Sequence, residues 1–126
     1  MRLVNSRLPA DQQLGGDAEA VEALFERLRS ETDYRPICEA LPLDFVQRAS
    51  EAEQHKSLKS HAEKKGLASL LLGGAPALRM RVNAKVCADC HSFLAHAAKL
   101  LGRPIHVREA ARQHAFDHTG RCSCNG

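Results

Sequence analysis

The chain predicts a layered α/β domain, and three features of its apolar patterning predict it. Val21, Leu24, Phe25 and Leu28 recur at helical spacing. Residues 78–86, LRMRVNAKV, alternate strictly between apolar and polar. A second helical stripe then follows, and PIHVRE returns to alternation. A helical face repeats near every 3.6 residues and a strand face every 2, so the order is helix, strand, helix, strand. Such elements bury their apolar faces by laying helices on a sheet. At 126 residues there is material for one core and not two.

Each element has a local cause. MRLVNSRLPA lacks the apolar stretch of a secretory signal, and residues 1–16 are expected to be a flexible lead-in to a domain spanning 17–126. Asp17 is placed to cap a helix over residues 18–30. DYRPICEALPLDF contains two prolines and short apolar runs, which suggests a turn with one or two short strands. Residues 50–72 are helical in pattern, in two segments meeting near Ser60. Ser50 with Glu53, and Ser60 with Glu63, both have capping-box spacing. GGAP ends the second segment and the strand of residues 78–86 follows. The next helix starts after Cys87, carries Phe93, Leu94, Ala97, Leu100 and Leu101 on one face, and stops at Gly102. Ile105 and Val107 point inward on the last expected strand, and the tail ARQHAFDHTGRCSCNG reads as loop.

Composition narrows the class. There are four Phe, one Tyr and no Trp, so the core must be built from aliphatic residues and gains from an extra stabiliser such as a metal. No apolar run approaches a membrane span. A formal charge of +3 permits a polyanionic partner. Five cysteines include two close pairs, Cys87/Cys90 and Cys122/Cys124, in a chain with seven histidines. Paired Cys with nearby His favours zinc in a reducing compartment over a disulfide framework. Cys38 stands apart and is expected to act as a small apolar residue.

Two constellations follow. His61-x-Glu63 opens one helix, and Cys87-x-x-Cys90 opens the next after an intervening strand. His61, Cys87 and Cys90 supply three ligands and leave the fourth tetrahedral position of zinc open for water. Glu63 lies beside that position, where a carboxylate can shuttle protons. The pattern resembles the H-x-E and P-C-x-x-C signature of zinc nucleobase deaminases, with Val86 in place of the proline. The alternatives are that Glu63 only completes a cap, that the zinc is structural, or that the C-x-x-C is redox-active. In the second constellation His91, His114, Cys122 and Cys124 can close a structural zinc site, with His118 as the rival to His114. His55, His96 and His106 are expected away from metal.

At these residues the chain resembles the DYW domain of pentatricopeptide-repeat organellar RNA-editing proteins, over roughly residues 20–124. The likeness is carried by HAEKKGLASLLL, by RMRVNAKVCADCHSF, by GRPIHVREAARQHAF and by GRCSC. Ala62 and Glu109 replace the usual Ser and Asp, and the sequence ends CNG without the tripeptide that names the family. The resemblance implies a cytidine-deaminase-like fold, a mixed sheet flanked by helices with a zinc-tied C-terminal tail. It implies hydrolytic C-to-U deamination in single-stranded RNA, with Glu63 as proton shuttle. His61, Cys87 and Cys90 would hold a catalytic zinc; His91, His114, Cys122 and Cys124 would hold a structural one. It also implies a pentatricopeptide-repeat protein or domain as the reader of sequence, no membrane partner, and a mitochondrial or chloroplast location. Substrate-binding residues are not identified by it. Lys64, Lys65, Arg79, Arg81, Arg103, Arg108, Arg112 and Arg121 are candidates to hold phosphates. The rival functions are a non-catalytic zinc module of an editing complex, and a toxin-like or nucleotide deaminase with another substrate.

Overall fold

A computed structural model of the chain describes residues 2–4, 17–82, 85–109 and 112–123. Helix α1 (Asp17–Glu31) buries Val21, Leu24, Phe25 and Leu28, the face its spacing predicts. The cap expected of the Asp17 side chain lies outside the described residues. The expected short strands after α1 are absent. A 3-10 turn (Cys38–Ala40) and a short helix α2 (Leu43–Arg48) stand there instead. The physical reason is local: Pro42 has no N–H to give a strand ladder, and with its φ at −55° it stands as the N-cap of α2.

Helices α3 (Glu51–Lys59) and α4 (Ala62–Leu72) meet at Ser60, as expected. The four-stranded sheet runs in the order β1 (Arg2–Val4), β2 (Leu78–Val82), β3 (Ile105–Arg108), β4 (Gln113–Phe116). β1 pairs parallel with β2, β2 parallel with β3, and β3 antiparallel with β4. Two strands were not expected. Residues 2–4, assigned to a flexible lead-in, pair with Met80–Val82, and residues 113–116, assigned to a loop, pair with β3. QHAF is short and its alternation spans few positions, so only a partner strand makes it extended. β2 is Leu78–Val82, and Lys85 and Val86, expected within it, lie outside the strand.

Helix α5 (Ala88–Leu101) ends at Gly102, whose φ of +64° lets its N–H turn back to the last carbonyls. Helix α4 packs on β1 and β2, α5 packs on β4, and α1 lies against both α4 and α5. Leu78, Met80 and Val82 face these helices with Ile105, Val107 and Phe116. Arg79, Arg81 and Arg108 are exposed on the other side of the sheet. Among the described residues the helices therefore cover one face, not the two that a flanked sheet implies. The parallel crossover from β2 to β3 brings the start of α5 to the sheet edge where α4 also begins.

Candidate metal centres

The first centre is made by two helix starts. His61 is the N-cap of α4, with extended backbone (φ −66°, ψ 141°) and a ring that caps nothing. Ser60 ends α3 in a helical conformation, and its hydroxyl donates to the Ser57 carbonyl at 2.6 Å. The capping box expected at Ser60/Glu63 is therefore not formed, whereas the one at Ser50/Glu53 is. Only Ser60 and His61 separate the helices, so Ser60 ends the first and His61 begins the second. Cys87 is the N-cap of α5, and its sulfur accepts the Cys90 amide at 3.3 Å.

His61 Nδ1 lies 3.3 Å from Cys90 Sγ and 3.4 Å from Cys87 Sγ. Around one tetrahedral zinc, with Zn–N and Zn–S near 2.0 and 2.3 Å, nitrogen and sulfur ligands sit about 3.6 Å apart. The three donors lie within 4.8 Å of one another, so the set and its spacing fit a single ion. The Cys90 hydrogen bond, with His61 and the Cys90 amide, brings Cys87 down to about 4. Donating to Cys87, together with burial, pushes Cys90 up.

Glu63 is 4% exposed, and Cys90 Sγ lies 3.4 Å from its Oε2. Burial raises its carboxyl above the usual range, partly offset by bonds from its own backbone N–H and from Cys90. Beneath it, Lys64 is fully buried and cannot reach a phosphate, which corrects that expectation. Its Nζ contacts Asp89 Oδ2 at 2.7 Å, the Leu58 carbonyl at 2.9 Å and Cys90 Sγ at 3.2 Å. Burial pulls the Lys64 ammonium down, but the charges of Cys90 and Asp89 outweigh it and the net direction is upward. Asp89 is itself 0% exposed and accepts from Tyr34 Oη at 2.9 Å and from the Ile37 amide at 2.7 Å. Burial, then the Asp89 charge, keeps the Tyr34 hydroxyl protonated. Asp89 and Tyr34 were missed from sequence. The available signal was an acid between the two cysteines on the buried side of a helix start.

The second cluster joins His91, His114 and Cys122, whose donor atoms also lie within 4.8 Å of one another. Cys122 Sγ is 3.7 Å from His114 Nδ1. His114 comes from β4 and is 4% exposed, while His91 comes from α5. Burial and the neighbouring His114 hold His91 below its usual range. The buried His114 Nε2 has no hydrogen-bond partner and faces Glu109 Oε2 at 3.7 Å. Glu109 also accepts the Val86 amide at 2.7 Å, one residue before Cys87. Cys124 lies outside the described residues. His118 is exposed, His55, His96 and His106 are half-buried, and all four lie outside the cluster. A separate hollow of about 560 Å³, lined by Glu31, His96, Lys99 and Gly120 among others, touches neither cluster.

Comparison with known proteins accords with this geometry. Residues 40–126 match the family model described as the DYW family of nucleic acid deaminases. The chain is 32% identical to the pentatricopeptide repeat-containing protein DOT4, chloroplastic, of Arabidopsis thaliana, over 87% of this chain and 13% of that protein. It is 35% identical to the pentatricopeptide repeat-containing protein OGR1, mitochondrial, of Oryza sativa subsp. japonica, over 83% of this chain and 17% of that protein. The chain thus spans less than a fifth of the length of these relatives. With its α/β fold, its paired His/Cys clusters and this match over most of its length, the chain belongs to the DYW family of nucleic acid deaminases.

Proposed function

We propose that this domain is a zinc-dependent cytidine deaminase that converts C to U in single-stranded RNA. The observation that carries the proposal is the buried Glu63 carboxylate held against the His61–Cys87–Cys90 cluster. A site built only for stability has little use for that acid, because Glu63 completes no capping box. Deamination adds the oxygen of water to C4 of cytosine and releases the exocyclic amine as ammonia. When bound, zinc supplies a Lewis acid that makes water acidic at neutral pH. His61, Cys87 and Cys90 would hold it and leave one position open. Glu63 moves two protons in turn, the first from water to the ring nitrogen and the second from the newly bound oxygen to the leaving amine, transfers that its raised carboxyl suits. The cytosine must be unpaired or extruded, since C4 is otherwise enclosed in a base stack.

His91, His114 and Cys122, with Cys124, would hold a second, structural zinc and tie the tail to α5. Exposed Arg81 and Arg108, in register on neighbouring strands, are candidates to contact phosphates. Few exposed aromatics are available to choose a site by stacking, so a pentatricopeptide-repeat protein or domain would read the sequence. The relatives named mitochondrial or chloroplastic support an organellar setting. No described helix is long and apolar enough to cross a membrane. The test is C-to-U conversion on an RNA brought to the domain by a fused sequence reader. Conversion is expected with the parent chain and lost with Glu63→Ala; conversion that survives the substitution would overturn the assignment.

A further inference from the structure

We propose that Lys64 is a positioning residue that tunes the first metal centre through the sulfur of Cys90, with Asp89 as its anchor. The inference rests on the zinc reading above. An ammonium group has three N–H donors and no acceptor. Lys64 has three acceptors within reach, namely Asp89 Oδ2, the Leu58 carbonyl and Cys90 Sγ, at 2.7, 2.9 and 3.2 Å. Every donor is thus committed, and the group is fixed in a space with no exposure to solvent. Asp89 is fixed in turn by Tyr34 Oη and the Ile37 amide. The chain of contacts runs from α1's C-terminal side, through the acid inside the Cys87–Cys90 turn, to a metal-ligand sulfur.

Stability alone does not account for this arrangement. A buried ion pair must recover the cost of removing both charges from water, and apolar replacements of such pairs are often neutral or stabilising. The Lys64 ammonium also lies 5.4 Å from the centroid of the Phe93 ring. What an apolar side chain cannot do is donate to Cys90. An N–H bond to a ligating sulfur withdraws electron density from it, weakens it as a donor, and leaves the metal a stronger Lewis acid. Glu63 is adjacent to Lys64 on α4. One turn of helix therefore presents the proton carrier toward the cluster and the tuning cation beneath it.

The test uses cobalt in place of zinc, because the sulfur-to-cobalt charge-transfer band reports the donor strength of the thiolates directly. The component belonging to this centre is the one that Cys90→Ser removes. Lys64→Met should move that component to longer wavelength, as the sulfur regains electron density. Because Lys64→Met alone strands the Asp89 carboxylate, the pair Lys64→Met with Asp89→Asn is measured beside it. The double variant keeps acceptors for Tyr34 and Ile37, and should show the same shift with parent-like circular dichroism. A folded, cobalt-loaded variant with an unmoved band would overturn the tuning role and leave Lys64 a packing residue. Failure of both variants to fold would likewise assign Lys64 to the core alone. A parent chain with no sulfur-to-cobalt band would instead remove the metal centre itself, a failure distinct from an unmoved band.

Discussion

Glu63 and Ser60 are three residues apart, yet they serve different helices. The Ser60 hydroxyl is spent on Ser57 at the end of α3, and Glu63 is turned into the cluster. Glu63→Gln is therefore expected to lower deamination by about 10²–10⁴-fold, the usual contribution of a proton-transfer group. It should leave helix content and the urea midpoint nearly unchanged, and initial rates beside an unfolding curve would check both. Gly120 makes a second residue-scale prediction. Its φ is +89°, and a Cβ there would lie 2.9 Å from the Ala95 carbonyl of α5. Gly120→Ala combines left-handed backbone strain, about 1–2 kcal/mol, with a clash against rigid helix backbone. Chemical denaturation should show a loss at or above that range.

At the scale of elements, the two serines with capping-box spacing separate cleanly. Ser50 accepts the Glu53 amide at 3.2 Å and the Glu53 carboxylate accepts the Ser50 amide at 3.2 Å. Ser50→Ala should cost about 1 kcal/mol, while Ser60→Ala should change stability by less than about 0.5 kcal/mol. The Ser50 backbone and side-chain bonds hold the Glu53 carboxyl below its ordinary value of 4.5. A depressed folded-state value contributes stability that is complete above the unfolded value and is lost as pH falls through the folded one. The Glu53 contribution should therefore fade only on acidification below about pH 4.5, and parent and Glu53→Gln unfolding curves should converge there. Sequence patterns could not rank these two boxes, because a motif states spacing and not the dihedral of its first residue. In the same way QHAF is too short to declare itself a strand before β3 offers it a ladder.

For the whole molecule, the ligand sets predict about two zinc per chain and about one in Cys122→Ser, measured by metal analysis of protein purified under reducing conditions. Chelation should lower the melting temperature, because both clusters join segments distant in sequence. Much of this was legible beforehand. The faces of α1, α5, β2 and β3 announce themselves by apolar period, since burying one face of a regular element imposes that period on the sequence. His61, Glu63, Cys87 and Cys90 could be picked out as candidates because metal chemistry restricts residue type and helix starts restrict spacing. Their closeness, and that of His91, His114 and Cys122, is decided by tertiary structure: a parallel crossover brings the starts of α4 and α5 to one sheet edge, and β4 returns His114 to α5. Tertiary structure alone also decides what polar residues do. Lys64, Asp89 and Tyr34 look like ordinary surface residues in one dimension. They form a buried network because three separate segments exclude water from the same small space. Local sequence encodes period, cap and ligand type; which charges are removed from water depends on what the rest of the chain lays over them.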